Sequence, residues 1–122
     1  MKILIVEDSK AMRIIIQRTL RQAGIAPGAT VAEAENGVEA LAAIRSTRPD
    51  LVLSDWNMPE MTGIELLEEL SRGGDRPPRF GFVTTESTPE MRQRAIASGA
   101  AFFITKPFTP ASFAQALVPV GS

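Results

Sequence analysis

The chain has 122 residues, is 44% hydrophobic and 22% charged, and carries a net charge of −1, values typical of a single soluble globular domain. The balanced charge excludes a global field that would favour nucleic acid or an anionic membrane, and the scattered arginines, Arg13 among them, indicate solvated helix faces. The absence of Cys and His excludes disulfides, thiolate and imidazole metal sites, and a Ser-His-Asp hydrolase. No segment resembles a signal peptide or reaches the length of a membrane span, so we expect a cytoplasmic protein.

Five short apolar runs along the chain predict strands. Continuous runs of this kind are typical of strands that are buried on both faces of a parallel sheet. They occupy residues 3–6, 30–34, 51–53, 80–84 and 102–105. Because segments with helical spacing separate them, the pattern predicts βαβ units and an α/β fold in which five strands alternate with five helices.

The first helix is predicted between the first two runs. Ser9 is its expected N-cap and Gly24 its expected end, because Ser and Gly favour these positions. Its predicted buried face consists of Met12, Ile15, Ile16, Leu20 and Ala23.

The same signals predict the other four helices. The second follows Asn36-Gly37 with an apolar stripe of Val38, Leu41, Ala42 and Ile44, and the third follows Gly63 and buries Ile64, Leu67 and Leu70. The fourth begins at Thr88-Pro89 and ends near Gly99, since proline is favoured at the first helical position. The fifth begins at Thr109-Pro110, carries Phe113 and Leu117, and is expected to stop at Pro119. Residues 73–78 form the loop that we predict to be loose.

Polar side chains follow four of the five runs. Glu7-Asp8 end the first, Asp55 the third, Thr84-Thr85 the fourth and Lys106-Pro107 the fifth. Because the carboxyl ends of parallel strands meet at one edge of a sheet, we expect these residues to form one site. Carboxylates in one cleft raise each other's pKa, and Mg²⁺, which prefers oxygen ligands and keeps several waters, relieves that repulsion. Together with a lysine and a hydroxyl, the set indicates phosphoryl transfer to an aspartate.

These residues lie in the motifs VEDS, LVLSDWNMPEMTG, VTTES and FFITKPF, which resemble those of the response-regulator receiver domain, the phosphoacceptor of bacterial two-component systems. The run SDWNMP is especially similar to the chemotaxis subgroup. The resemblance extends from Lys2 to about Leu117, with the motifs in family order. It implies one receiver domain over residues 1–122 and a flavodoxin-like, doubly wound five-stranded parallel sheet of order 2-1-3-4-5.

The resemblance also implies a phosphoryl site and a switch. Asp55 would accept the phosphoryl group, and Lys106, in a cis bond to Pro107, would contact it. Thr84 would be the switch residue whose hydroxyl moves to the phosphoryl group. Phe103 would be the aromatic residue whose ring becomes buried when Thr84 moves. Phe103 stands where the chemotaxis subgroup has tyrosine, and without a hydroxyl to satisfy, its inward position should be populated even before phosphorylation.

A magnesium site is implied by the same resemblance. Asp8 and Asp55 would bind Mg²⁺ directly, Glu7 would bind it through a water, and Asn57 would bind it through its backbone carbonyl. Glu7 departs from the aspartate that chemotaxis regulators often have here, but the longer acid should still reach the metal through water. Asn57 and Glu86 would tune the rate of dephosphorylation.

The implied function is a signalling switch that catalyses only its own phosphorylation and dephosphorylation and is otherwise not an enzyme. A histidine kinase or phosphotransfer protein would phosphorylate Asp55, and the face of the fourth helix, fifth strand and fifth helix would then bind a downstream target, such as the flagellar motor switch in chemotaxis. We expect a monomer, with neither nucleic acid nor membrane as partner. Nothing in the sequence names the kinase or the target. A stand-alone phosphorelay receiver, the receiver piece of a longer regulator, a pseudo-receiver and a haloacid-dehalogenase-like phosphohydrolase stay open as alternatives, although Asn57 replaces the second aspartate of the last family.

Overall fold

The computed structural model describes residues 1–73, 78–85 and 87–121. Strands and helices alternate along the chain in the order β1 (Lys2–Val6), α1 (Lys10–Gln22), β2 (Thr30–Ala34), α2 (Gly37–Thr47), β3 (Leu51–Ser54), α3 (Gly63–Arg72), β4 (Arg79–Thr84), α4 (Pro89–Ala97), β5 (Phe102–Thr105) and α5 (Pro110–Gly121). Residues 74–77 of the loop predicted to be loose, and Glu86, lie outside the described residues. Within the described part of the chain, no helix combines the length and the apolar character needed to cross a membrane.

The strands form one parallel sheet of order β2-β1-β3-β4-β5, which confirms the fold that the resemblance implied. β1 and β3 are neighbours and end level with each other, since Val6 is paired with Ser54. β4 and β5 are likewise level at Thr84 and Thr105. The residues that follow these strands therefore emerge at the same edge of the sheet, as the sequence predicted.

The core is divided between the two faces of the sheet, because successive strand residues point to opposite sides. On one face, Ile3 and Ile5 of β1 pack with residues of α1 and α5, including Ile16, Leu20, Phe113 and Leu117. On the other face, Leu4 and Val6 pack with residues of α2, α3 and α4. Burial of β1 and β3 from both sides explains their continuous apolar sequences.

Side-chain caps begin the first four helices. Ser9, as predicted, accepts a hydrogen bond from the Met12 backbone N–H, and Asn36, Thr62 and Thr88 act in the same way at α2, α3 and α4. The helices differ in how much they bury. α3 buries five residues, Gly63, Ile64, Leu66, Leu67 and Leu70, whereas Ala95 is the buried residue of α4.

Two predicted helix faces were partly wrong. Ile15 is 42% exposed, and Arg13, which was expected on a solvated face, is buried on α1. Val38 is 50% exposed, while Ala40 takes a buried position on α2. In both helices apolar residues occur on more than one side, so spacing alone does not fix which side meets the sheet.

The predicted end of the last helix was also wrong. α5 continues to Gly121, past Pro119. A proline there lacks the N–H that would bond to the preceding turn. It removes that one bond near the end of the helix and leaves the turns before it intact.

Candidate functional site

An acidic cluster lies at the carboxyl edge of the sheet, where β1 and β3 end. Glu7, Asp8 and Asp55 each place a carboxylate oxygen within 4.8 Å of the others. Glu7 is buried and Asp8 is exposed. The pKa of Asp8 is raised above its ordinary value, first by a hydrogen bond shared with the Glu7 side chain, then by burial and by the charge of Glu7. Proximity of like charges is the condition that a bound divalent cation relieves.

Lys106, the residue that follows β5, joins the acids. Its Nζ donates to Glu7 Oε1 at 2.6 Å and to Asp55 Oδ2 at 3.4 Å, and its side chain is only 11% exposed. The Lys106–Pro107 bond is cis, as the resemblance implied, and the Lys106 backbone N–H donates to the Thr84 carbonyl. The lysine is therefore held by main-chain and side-chain contacts beside two of the carboxylates.

Local backbone contacts fix Asp55. Its N–H donates to the Val6 carbonyl, and its Oδ1 accepts from the Trp56 N–H at 2.7 Å. The buried Ser54 hydroxyl donates to the Asp55 carbonyl at 2.8 Å. One carboxylate oxygen of Asp55 is thus held by the backbone, while the other lies near Lys106.

Gly63 is required by the close packing of the loop after β3. A Cβ at this position would collide with the Asp55 carbonyl and lie 2.8 Å from the Phe82 ring. The Gly63 N–H donates to the Trp56 carbonyl at 2.8 Å, which draws the start of α3 against the loop. The glycine therefore allows the turn that the sequence makes after Asp55.

The proposed switch residues lie beside this site. Thr84 is fully buried at the end of β4. Phe103 is half-buried, with ring centroids 6.0 Å from Phe82 and 6.4 Å from Trp56. Arg92 covers it, with its Cζ 4.9 Å from the ring centroid. Phe103 therefore lies between core aromatics and a cation, in a cation–π arrangement.

The other two predicted site residues are Asn57 and Glu86. Asn57 is exposed on the loop after β3, and Glu86 lies outside the described residues. The structure thus brings together Glu7, Asp8, Asp55 and Lys106, with Thr84 bonded through its carbonyl to the backbone of Lys106.

Arg13 is the residue near the site that the sequence interpretation missed. Its Nη1 donates to the Glu7 backbone carbonyl at 2.6 Å, and its Nε donates to Glu33 Oε1 at 2.7 Å. A signal existed, because Arg13 precedes Ile16 and Leu20 by one and two helical turns and so shares their buried face.

Comparison with known proteins identifies the family. The sequence profile of the response regulator receiver domain matches residues 3–118. The chain belongs to this family. A receiver of this family generally binds Mg²⁺, and the oxygen donors of Glu7, Asp8 and Asp55 form a cluster that could hold it.

Several receivers are similar over nearly their whole length. The chemotaxis protein CheY of Pseudomonas aeruginosa is 40% identical over 111 residues, which cover 89% of this chain and 86% of that protein. CheY1 of Helicobacter pylori strain 26695 is 40% identical over 114 residues, or 90% and 88% of the two chains. The structure of Vibrio cholerae CheY4 matches with a TM-score of 0.82 and 36% identity, covering 98% of this chain and 97% of that one. The receiver resembles chemotaxis receivers in both sequence and fold.

Proposed function

We propose that this receiver accepts one phosphoryl group on Asp55 and uses it as a signalling switch. The observation that carries the proposal is the position of the Asp55 carboxylate, which lies within 3.4 Å of Lys106 Nζ and beside the acids Glu7 and Asp8. A carboxylate nucleophile, a cation for the phosphoryl oxygens and oxygen ligands for a metal are the parts that phosphoryl transfer to an aspartate requires.

The transfer would break the bond between phosphorus and a histidine nitrogen of the donor and form a bond between phosphorus and a carboxylate oxygen of Asp55. Mg²⁺, when bound, supplies positive charge that offsets the charge on the transferred oxygens. Asp8 and Asp55 would hold it directly, Glu7 through a water, and Asn57 through its backbone carbonyl. Lys106 would turn from Glu7 toward the phosphoryl group and stabilise its oxygens.

Thr84 and Phe103 would carry the signal outward. The Thr84 hydroxyl would move to the phosphoryl oxygens, and the Phe103 ring would fill the space it leaves. The half-buried position of Phe103 against Phe82 and Trp56 supports the expectation that its inward state is populated before phosphorylation. Asn57 and Glu86 would then set how long the phosphoryl group survives.

The pathway we propose is chemotaxis, because the relatives that are 40% identical over most of their length are named chemotaxis proteins. A histidine kinase or phosphotransfer protein would be the donor to this cytoplasmic receiver, and a target such as the flagellar motor switch would bind the face of α4, β5 and α5 of the monomer. Rapid decay of the phosphoprotein in Mg²⁺ would support this role, whereas a phosphoprotein stable for many hours would favour slow transcriptional regulation. Membership of the receiver family supports this role over that of a hydrolase acting on an external substrate.

Mass spectrometry after incubation with acetyl phosphate and Mg²⁺ tests the proposal. The wild-type protein should gain the mass of one phosphoryl group, and Asp55→Asn should gain none. Asp50→Asn is the matched control, because Asp50 is an exposed aspartate just before β3, at the opposite end of the same strand. Phosphorylation that persists in Asp55→Asn would refute the assignment of the phosphoacceptor.

A further inference from the structure

Arg13 is a buried cation that lies outside the acidic cluster but contacts it. The residue is 6% exposed, although arginine is rarely buried unless it is paired. Its Nε bonds to Glu33 of the edge strand β2 at 2.7 Å, and its Nη2 lies 3.8 Å from Glu35. These acids offset the cost of burying the guanidinium and fix its direction, because the planar fork donates along set directions.

The third contact of Arg13 is with the backbone of Glu7, which precedes Asp8 in the acidic cluster. The Glu7 carbonyl, which accepts from Arg13 Nη1 at 2.6 Å, belongs to the peptide group that joins Glu7 to Asp8. The Glu7 N–H is bonded to the Ala34 carbonyl at 3.0 Å, and Glu7 Oε2 accepts from the Ser9 N–H at 2.9 Å. With Arg13 in place, the peptide group before Asp8 is held against the repulsion of the adjacent carboxylates.

We propose that Arg13 is a positioning residue that orients Asp8 for Mg²⁺ and thereby sets the affinity of the receiver for the metal. Among the described residues, Arg13 contacts the Glu7 carbonyl, Glu33 and Glu35, and none of the three carboxylates of the acidic cluster. It acts through the Glu7–Asp8 peptide group, with Glu33 as the acid that orients it. The inference rests on the proposed function only in taking Mg²⁺ as the ion of this site. Partners that orient metal ligands in this way typically change metal affinity when they are lost.

The direction of the change in Mg²⁺ affinity distinguishes a positioning role of Arg13 from a simple effect of its charge. Arg13 is a cation near a cation site, so removal of its charge alone should strengthen Mg²⁺ binding. Loss of positioning should weaken it. Arg13→Gln is therefore expected to bind Mg²⁺ about tenfold more weakly, the lower end of the range for such partners, even though the site becomes more negative.

A Mg²⁺ titration at fixed pH and ionic strength, followed by backbone amide NMR shifts and by Trp56 fluorescence, tests the inference. Arg18→Gln is the matched control, since Arg18 is an exposed arginine on the same helix. That variant should bind Mg²⁺ as tightly as wild type or slightly more tightly. Arg13→Lys keeps the charge and loses the fork, so it should also bind more weakly than wild type.

Arg13→Lys also covers the case in which Arg13→Gln does not fold, because it leaves the buried charge paired. Mg²⁺ affinity equal to or above that of wild type, in a folded Arg13→Gln or Arg13→Lys, would overturn the inference. A wild-type protein that binds Mg²⁺ but gains no phosphoryl group from acetyl phosphate would instead refute the proposed function. The positioning role of Arg13 would in that case still be measured by the same titration.

Discussion

Gly63 packs so closely against the site that a side chain would not fit without movement of its neighbours. Gly63→Ala should destabilise the fold by about 1–3 kcal/mol, because the added methyl collides with the Asp55 carbonyl and forces the loop to move. The same displacement should slow phosphorylation of Asp55 by acetyl phosphate. Denaturant unfolding and the rate of mass gain measure the two effects.

Gly73→Ala is the control for this substitution. A Cβ at Gly73 would lie 3.6 Å from the Leu70 carbonyl, an ordinary contact, and its φ of −71° suits any residue. That variant should stay within about 0.5 kcal/mol of wild type. Wild-type stability in Gly63→Ala would show that the loop after β3 adapts without cost.

Asp8 gives the metal-free protein a defined dependence on pH. Since its pKa is raised, chiefly by the hydrogen bond shared with Glu7, the folded state holds the proton more tightly than the unfolded chain. Stability is therefore favoured below the ordinary carboxyl pKa and falls as the pH rises through the raised pKa. Without metal at neutral pH, Asp8→Asn should melt at a higher temperature than wild type, and the difference should shrink on acidification.

Added Mg²⁺ should reverse that order. A metal that binds the folded state should raise the melting temperature of wild type, but it should have little effect on Asp8→Asn, which would lack one of the proposed direct ligands. An Asp8→Asn variant that melts at a lower temperature than metal-free wild type at neutral pH would show that repulsion between the Asp8 and Glu7 carboxylates does not significantly destabilise the fold.

At the scale of single elements, α3 begins with a reciprocal cap. Thr62 Oγ1 accepts from the Glu65 N–H, and Glu65 Oε1 accepts from the Thr62 N–H at 2.9 Å. Thr62→Ala should cost about 1 kcal/mol in the free energy of unfolding. The pKa of Glu65 is lowered, first by the hydrogen bond from the Thr62 backbone N–H. The contribution of the Glu65 carboxylate to folding stability is therefore present above its ordinary pKa and is lost as the pH falls through the lowered pKa.

Thr88→Ala is the control for the cap, because Thr88 accepts from Met91 N–H at α4 and has no acid in the reciprocal position. Both threonine variants should lose similar stability at neutral pH by denaturant unfolding. Glu65→Gln should flatten the acid side of the stability profile, and an unchanged profile in that variant would assign the dependence to other carboxylates.

At the scale of the whole molecule, the sequence predicted the alternation of elements because each strand is a short apolar run between capped helices. The strand order came from the family resemblance, since periodicity does not specify which strands are neighbours. The convergence of Asp55, Lys106 and the first acids followed from parallel topology. The bond from Lys106 to Glu7, shorter than the one to Asp55, was not predictable, because it depends on side-chain reach. The burial of Arg13 was missed because its charge was taken to indicate a solvated face, although it lies one and two helical turns before Ile16 and Leu20.

The small buried surface of α4 has a consequence for local opening of the chain. Ala95 is buried in α4 and Met91 is partly buried against the core. Polar contacts connect α4 and its C-cap to α3: Arg94 pairs with Glu68 at 3.3 Å, and the Ser71 hydroxyl donates to the Ser98 carbonyl at 3.3 Å. A helix with few apolar contacts opens at a lower free energy than the core, so amide hydrogen exchange should be faster along α4 than along α3. Salt should speed it further in α4, because the exposed ion pair is screened. For the switch that we propose at Thr84, a segment with so little buried surface would need only a small free-energy change to redistribute its conformations.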